Sequence, residues 1–311
     1  MHTLRINSLH VLGVLGPLLL SQGCGKFSGP PSCPAGMTCR ELGFGFAGRH
    51  HDAVVRQAVA AVRATPAELD GIVAALEDGP ADDLRLDTLA DAAGHLFPFD
   101  QSRVTWEVER AYLAFDDQRL ADVFLRGLFM QFGYDHVSDP AACQAFLSSA
   151  PRMSERERAF GMANGMVWGL MADVPSGAPP EVETAEAIGR QLEGDLAVLF
   201  FEELGWQQNA YGSGGSLETR YQELGALTGG EHQCAVIHGY VRSATGGEAS
   251  LDESLAWVQR SPPDCDLHVL HAAQRRRCLT PIHLDRDTGI AERCGFDPGR
   301  MAEWVSLDLL P

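Results

Sequence analysis

The chain has 311 residues, with 42 Asp and Glu against 24 Lys and Arg, a formal charge of −18 at neutral pH. A surface so negative argues against nucleic acid and anionic lipid headgroups as partners, since both repel it. The single lysine is Lys26, so a Schiff-base lysine, a pyridoxal-phosphate anchor and a phosphate-loop lysine have no candidate in the folded body.

Residues 1–23 read as an export signal. Arg5 is its only formal charge, and Leu9–Leu20 is an apolar run broken by Pro17 and too short to span a bilayer. It ends in Leu20-Ser21-Gln22-Gly23-Cys24, which resembles the lipobox of bacterial lipoproteins, although Ser21 and Gln22 depart from the family's apolar pattern. The resemblance implies cleavage before Cys24 and acylation of that residue. Gly25, not Asp, in the next position implies an outer-membrane address in a two-membrane bacterium. Plain secretion after cleavage nearby is the alternative. Residues 24–40 then form a lipid-anchor tether rich in Gly, Pro and Ser, and residues 41–311 form a single helical domain.

Apolar residues recur at helical spacing over Asp52–Arg63. Thr65-Pro66-Ala67-Glu68 is a capping box with Pro at the first helical position, opening a helix that stops at Asp78-Gly79-Pro80. Further helices are expected over Asp82–Leu96, Arg103–Ala114 and from Asp116-Asp117 through Phe132. Asp139-Pro140 starts another, and Ser154-Glu155-Arg156-Glu157 is a second capping box. Helices follow over Glu181–Gln208, Ser216–Leu227, His232–Ala244 and Ser250–Arg260, the last opened by Ser250-Leu251-Asp252-Glu253. Pro262-Pro263 opens one more, towards Leu279. No run has the period of a strand, so the fold class is all-α: multi-helical, either solenoid-like or an irregular bundle.

The centre of this pattern is Phe160–Asp173. Gly161, Gly165 and Gly169 fall four residues apart, which lines them up as one stripe of bare backbone on a helix. Three interior glycines cost about 3 kcal/mol of helix propensity, so a neighbour is expected to pack very close against them. The other faces, including Trp168, are apolar, which marks a buried helix. Asn164 is the exception, and its amide needs partners, most readily a neighbouring backbone.

Phe124–Gly133, Phe160–Gly169 and Phe201–Ala210 resemble one another, with Ile237–Val241 a worn fourth copy. Gly127, Gly165, Gly205 and Gly239 then mark a period of one helix pair, the signature of stacked helical repeats. The succession Phe124-Leu125-x-Gly127, Asp139-Pro140-Ala141-Ala142, Ala150-Pro151 and Phe160-x-x-x-x-Gly165 is similar to an uncharacterised helical family that accompanies enediyne polyketide gene clusters in bacteria. The likeness spans residues 119–210 and implies a helical fold without an assigned activity or site.

Cysteines in an exported chain point to disulfides, and Cys33, Cys39, Cys143, Cys234, Cys265, Cys278 and Cys294 are the candidates. Cys33 and Cys39 bracket a short loop, and the crowding of the others towards the C-terminus marks residues 230–311 as the stapled part. A zinc site is the competing use of this region, with His232, His238, Cys265, His268 and His271 as ligands, joined by Cys234, Cys278 or His283. No His-Glu-x-x-His or paired Cys-x-x-Cys supports it. Asp285-Arg286-Asp287-Thr288-Gly289 lacks the ligands of a calcium loop. His50-His51-Asp52 reads as a helix start, and Ser213 as part of a flexible turn. Glu107 with Glu109, and Glu202 with Glu203, are carboxylate pairs expected on exposed helix faces.

No catalytic set emerges. The reading is an exported, membrane-anchored helical binding or scaffold protein whose protein or small-molecule partner the sequence does not name. A metal-dependent hydrolase or redox protein using the 232–283 His and Cys group is the first alternative. A protein holding an apolar small molecule between its Gly- and Met-rich helices is the second.

Overall fold

The computed structural model describes residues 94, 109–110, 112–149, 153, 155–172, 174, 180–212, 215–247 and 249–278. The expected export signal, Cys24, the tether, and the helices over Asp52–Arg63, Thr65–Asp78 and Asp82–Leu96 lie outside these residues, Gly94 excepted. So do Cys33, Cys39, His283, Cys294, the cap residue Ser154 and the side chain of Cys278.

The described residues are all-α. Long helices alternate with short ones: α1 Gln118–Asp135, α2 Pro140–Leu147, α3 Glu155–Ala172, α4 Val182–Gly189, α5 Gly194–Tyr211, α6 Leu217–Leu224, α7 Gln233–Thr245, α8 Leu251–Val258 and α9 Asp266–Cys278. Each even-numbered helix has eight residues, a connector between two longer neighbours. The starts are chemically set. Asp117 accepts from Arg119 N, Asp139 from Ala142 N, Ser216 from Thr219 N and Ser250 from Glu253 N, so each satisfies a first-turn donor. Pro140 begins α2, where its missing N–H costs nothing. Gly246 ends α7 at φ +64°, a left-handed position that glycine takes without strain.

The long helices run parallel. Along α3, Gly161, Gly165 and Gly169 face the backbone carbonyls of Arg126, Met130 and Tyr134, advancing four residues on both helices at once. Gly133 returns the contact against Met162. A methyl on Gly165 would overlap the Met130 carbonyl oxygen, which is why that stripe is bare. The predicted close neighbour of the stripe is therefore α1.

The same device recurs between α5 and α7, where Gly205 meets the Val236 backbone and Gly239 meets that of Glu202. Asn209 bonds Ser243, 34 residues on, which keeps these helices parallel. From α7 to α9 the pairs His238–His271 and Cys234–Cys265 are 33 and 31 residues apart. The repeat read from the sequence thus exists as long helices stacked side by side. One register differs: Gly127 is buried in α1, but the glycine that admits α3 is Gly133.

Two cores result. The first lies among α1–α5 and the inner side of α7, and holds Phe124, Phe129, Phe200 and Phe201. The second lies on the other side of α7, with Tyr240, Trp257, Val269 and Leu270. The expectation of a wholly buried α3 needs correcting. Phe160, Asn164, Trp168 and Leu170 are only half-buried, because α1 and α5 pack against α3 without enclosing it. Among the described residues no helix is long and apolar enough to cross a membrane.

Candidate functional site

Helix α5 is packed between α3 and α7, which decides the fate of its adjacent acids. Neighbouring residues on a helix point about 100° apart. Glu202 therefore turns to α7 and Glu203 towards α3. They are 2% and 6% exposed, so the expectation of a solvated carboxylate pair is wrong. A helix covered on two sides has no free face for either residue.

Glu202 Oε1 accepts from Arg242 Nη1 and lies 3.4 Å from His238 Nδ1. His238 Nε2 is 2.9 Å from His271 Nδ1 on α9. A carboxylate beside Nδ1 favours the tautomer with its proton there, which leaves Nε2 to accept from His271. The chain Arg242–Glu202–His238–His271 thus ties α5, α7 and α9 together. The Arg242 guanidinium also lies 4.5 Å above the Trp206 ring, a cation–π contact. Burial pushes the Glu202 carboxyl up, but the Arg242 guanidinium and the His238 imidazole beside it outweigh this and hold the group at about 2.

Among the described residues Glu203 has no such counter-ion at contact distance. Burial raises it to about 7, only partly offset by Arg242 and by hydrogen bonds from Gln207 and Asn164. Asn164 therefore meets a buried side-chain carboxyl on α5, not the neighbouring backbone expected for it. Trp168, one turn on, meets Tyr211 edge to face at 6.3 Å. His268 is pushed down to about 4 by burial and by the nearby His238, against the pull of Glu202.

The zinc ligand set is not assembled. His232 stacks on Phe201 at 5.0 Å, and Cys265 is joined to Cys234 in a disulfide. His238, His268 and His271 do converge, but His238 spends its ring nitrogens on Glu202 and on His271. Among the described residues no group of three or more His, Cys, Asp or Glu is placed to hold a metal ion. The disulfide places one staple in the C-terminal part, as expected. Cys143, one of the five candidates beyond Cys33 and Cys39, of which pairing among themselves leaves at least one free, is buried and unpaired: its Sγ is directed at the His136 carbonyl at 3.4 Å, and burial raises its thiol to about 12.

Arg242 is the residue that sequence reasoning missed. It follows Gly239 by three positions, as Glu202 precedes Gly205 by three. Both charges therefore sit on the stripes through which the two helices touch. An acid and a base flanking repeat glycines was the available signal.

The molecule so described is an all-α protein of stacked helix pairs with a buried charged seam. No protein-family model matches the chain, and no curated protein or solved structure matches it.

Proposed function

We propose that the chain is an exported, lipid-anchored helical binding module of the cell envelope, held to the outer membrane through Cys24 and meeting its partner along the stacked helices. The observation that carries the export reading is the Cys234–Cys265 bond, since protein disulfides form in oxidising compartments. It supports export independently of the N-terminal residues, on which alone the lipid anchor rests. Binding is favoured over catalysis because the acids and imidazoles of the best cluster are engaged with one another. Glu202 and Glu203 are nearly sealed from solvent, as are His238 and His271. A general acid or base must reach a substrate proton, and these do not face one.

The test is expression with the leader intact in a two-membrane bacterium, followed by detergent phase partition and intact-mass measurement. The expected product begins at Cys24, carries acyl mass and enters the detergent phase, whereas Cys24→Ser stays aqueous. A wild-type product found soluble and unacylated would overturn the anchor. About one equivalent of tightly held zinc in the purified body would overturn the binding-module reading in favour of a metalloenzyme.

A further inference from the structure

The C-terminal unit α8–α9 has features of a separable piece. It shares a core with the outer side of α7 (Ile237, Tyr240 and Val241), distinct from the core of α1–α5. The α1/α3 and α5/α7 seams are closed by glycines against backbone. The α7/α9 seam has no such contact, since Asp266–Cys278 contains no glycine. Among the described residues its specific connections are the disulfide at one end and the His238–His271 pair one turn further. Gln274 bonds the Ala249 carbonyl and Ser254 Oγ within the α8–α9 unit itself, and Tyr221 of α6 packs against Trp257 and Arg260 on its outer side. A piece held to its neighbours by side chains, without the backbone-to-backbone glycine seams of the other helix pairs, is the kind that opens as a unit.

Access to the covalent tie is one-sided. Cys234, at the start of α7, is half-buried, whereas Cys265 is 1% exposed. We propose that Cys234–Cys265 is a reducible latch: a protein dithiol opens it, α8–α9 loosens from α7, and the apolar face of Ile237, Tyr240 and Val241 is uncovered. This goes beyond the anchored-module reading and does not depend on Cys24.

The chemistry balances as thiol–disulfide exchange. One thiolate of the reductant attacks Cys234 Sγ and the Sγ–Sγ bond breaks. Cys265 departs with the electron pair as a thiolate and takes up a proton. The second reductant thiol, as its thiolate, attacks the reductant's own sulfur in the mixed disulfide, and Cys234 leaves and is protonated. Two electrons pass to the protein, and the reductant ends as a disulfide. The departing Cys265 sulfur lies at the N-terminal end of α9, where the helix dipole favours negative charge.

Hydrogen exchange by mass spectrometry on the folded chain, with and without dithiothreitol, tests the proposal, with the dye ANS as a reporter of apolar surface. Reduction is expected to speed exchange in α8 and α9 on the order of 100-fold, the scale of a lost cross-link. Exchange in α1–α5 should stay unchanged, and ANS fluorescence should rise. Cys234→Ser with Cys265→Ser should show the open pattern without reductant and respond no further to it, which separates this bond from other cysteines. If that variant does not fold, reduction of the wild-type chain remains decisive. Unchanged exchange in α8–α9 would overturn the latch. So would an equal acceleration throughout α1–α9, which would make the bond a support of the whole fold.

Discussion

At the residue scale the molecule depends on backbone brought against backbone. Gly165 sits where any Cβ would overlap the Met130 carbonyl. Alanine there gains about 1 kcal/mol of helix propensity but forces α1 and α3 apart along the whole seam. Overpacking costs about 1–3 kcal/mol or more, and backbone, unlike a side-chain end, cannot turn away. Gly165→Ala should therefore lose about 2 kcal/mol net, read as a lower urea midpoint. Gly225 supplies the contrast. It has ordinary right-handed helical angles, and a methyl there would come no nearer than 3.7 Å to the Gln222 carbonyl oxygen. Gly225→Ala should be neutral or stabilise by about 0.5 kcal/mol, through a less entropic unfolded chain. Equal effects at the two sites would sink the close-packing account.

At the element scale, Glu202 joins α5 to α7 through one carboxylate and reaches α9 through His238. Glu202→Gln would leave the Arg242 guanidinium buried without its counter-charge, a loss of about 3–5 kcal/mol. Changing both to Met should recover most of it, because two apolar side chains need no desolvation of charge. A single variant as stable as wild type in urea would show that the seam is held by packing alone. The helices themselves were legible because their signals are local: Asp139-Pro140, Ser216 and Ser250 act within a turn, and the glycine period repeats along the chain. Glu202 was not legible, since its burial depends on α3 and α7 closing over both sides of α5. The disulfide partner was similarly hidden. Cys234 meets Cys265 only because two long helices run parallel across an intervening short one, a fact of topology that no spacing of cysteines states. His232 and His268 lie near the right stretch of chain, yet helix rotation sends one to Phe201 and keeps the other beside His238.

At the scale of the whole molecule, the buried ionisable groups set an unusual dependence on acidity. Glu203 and Asp266 are each raised to about 7, Glu203 chiefly by burial and Asp266 by burial with Asp264 beside it. Unfolded, both would titrate near 4. Between about pH 7 and about pH 4 the folded chain holds these protons when the unfolded chain has lost them, so they add stability as pH falls. His268, pushed down to about 4, acts in the opposite sense. The unfolded chain gains that proton through about pH 6.5, so its stability contribution is lost on the way down. Two groups against one leave a net gain towards acid. Below about pH 4 the direction reverses, because Glu202 is held at about 2 and the unfolded chain takes up its proton first. The urea midpoint should accordingly peak near pH 4–5, on the acid side of the usual range of about 5–8. Glu203→Gln should remove one of the two opposing groups and reduce the slope between about pH 7 and about pH 5 by up to about 1.4 kcal/mol per pH unit. A midpoint that rises steadily from pH 5 to pH 8 would contradict the burial of these carboxyls. It would also require the α3/α5 seam to admit water to Glu203, and so to be more open than a carboxyl shared by Asn164 and Gln207 allows.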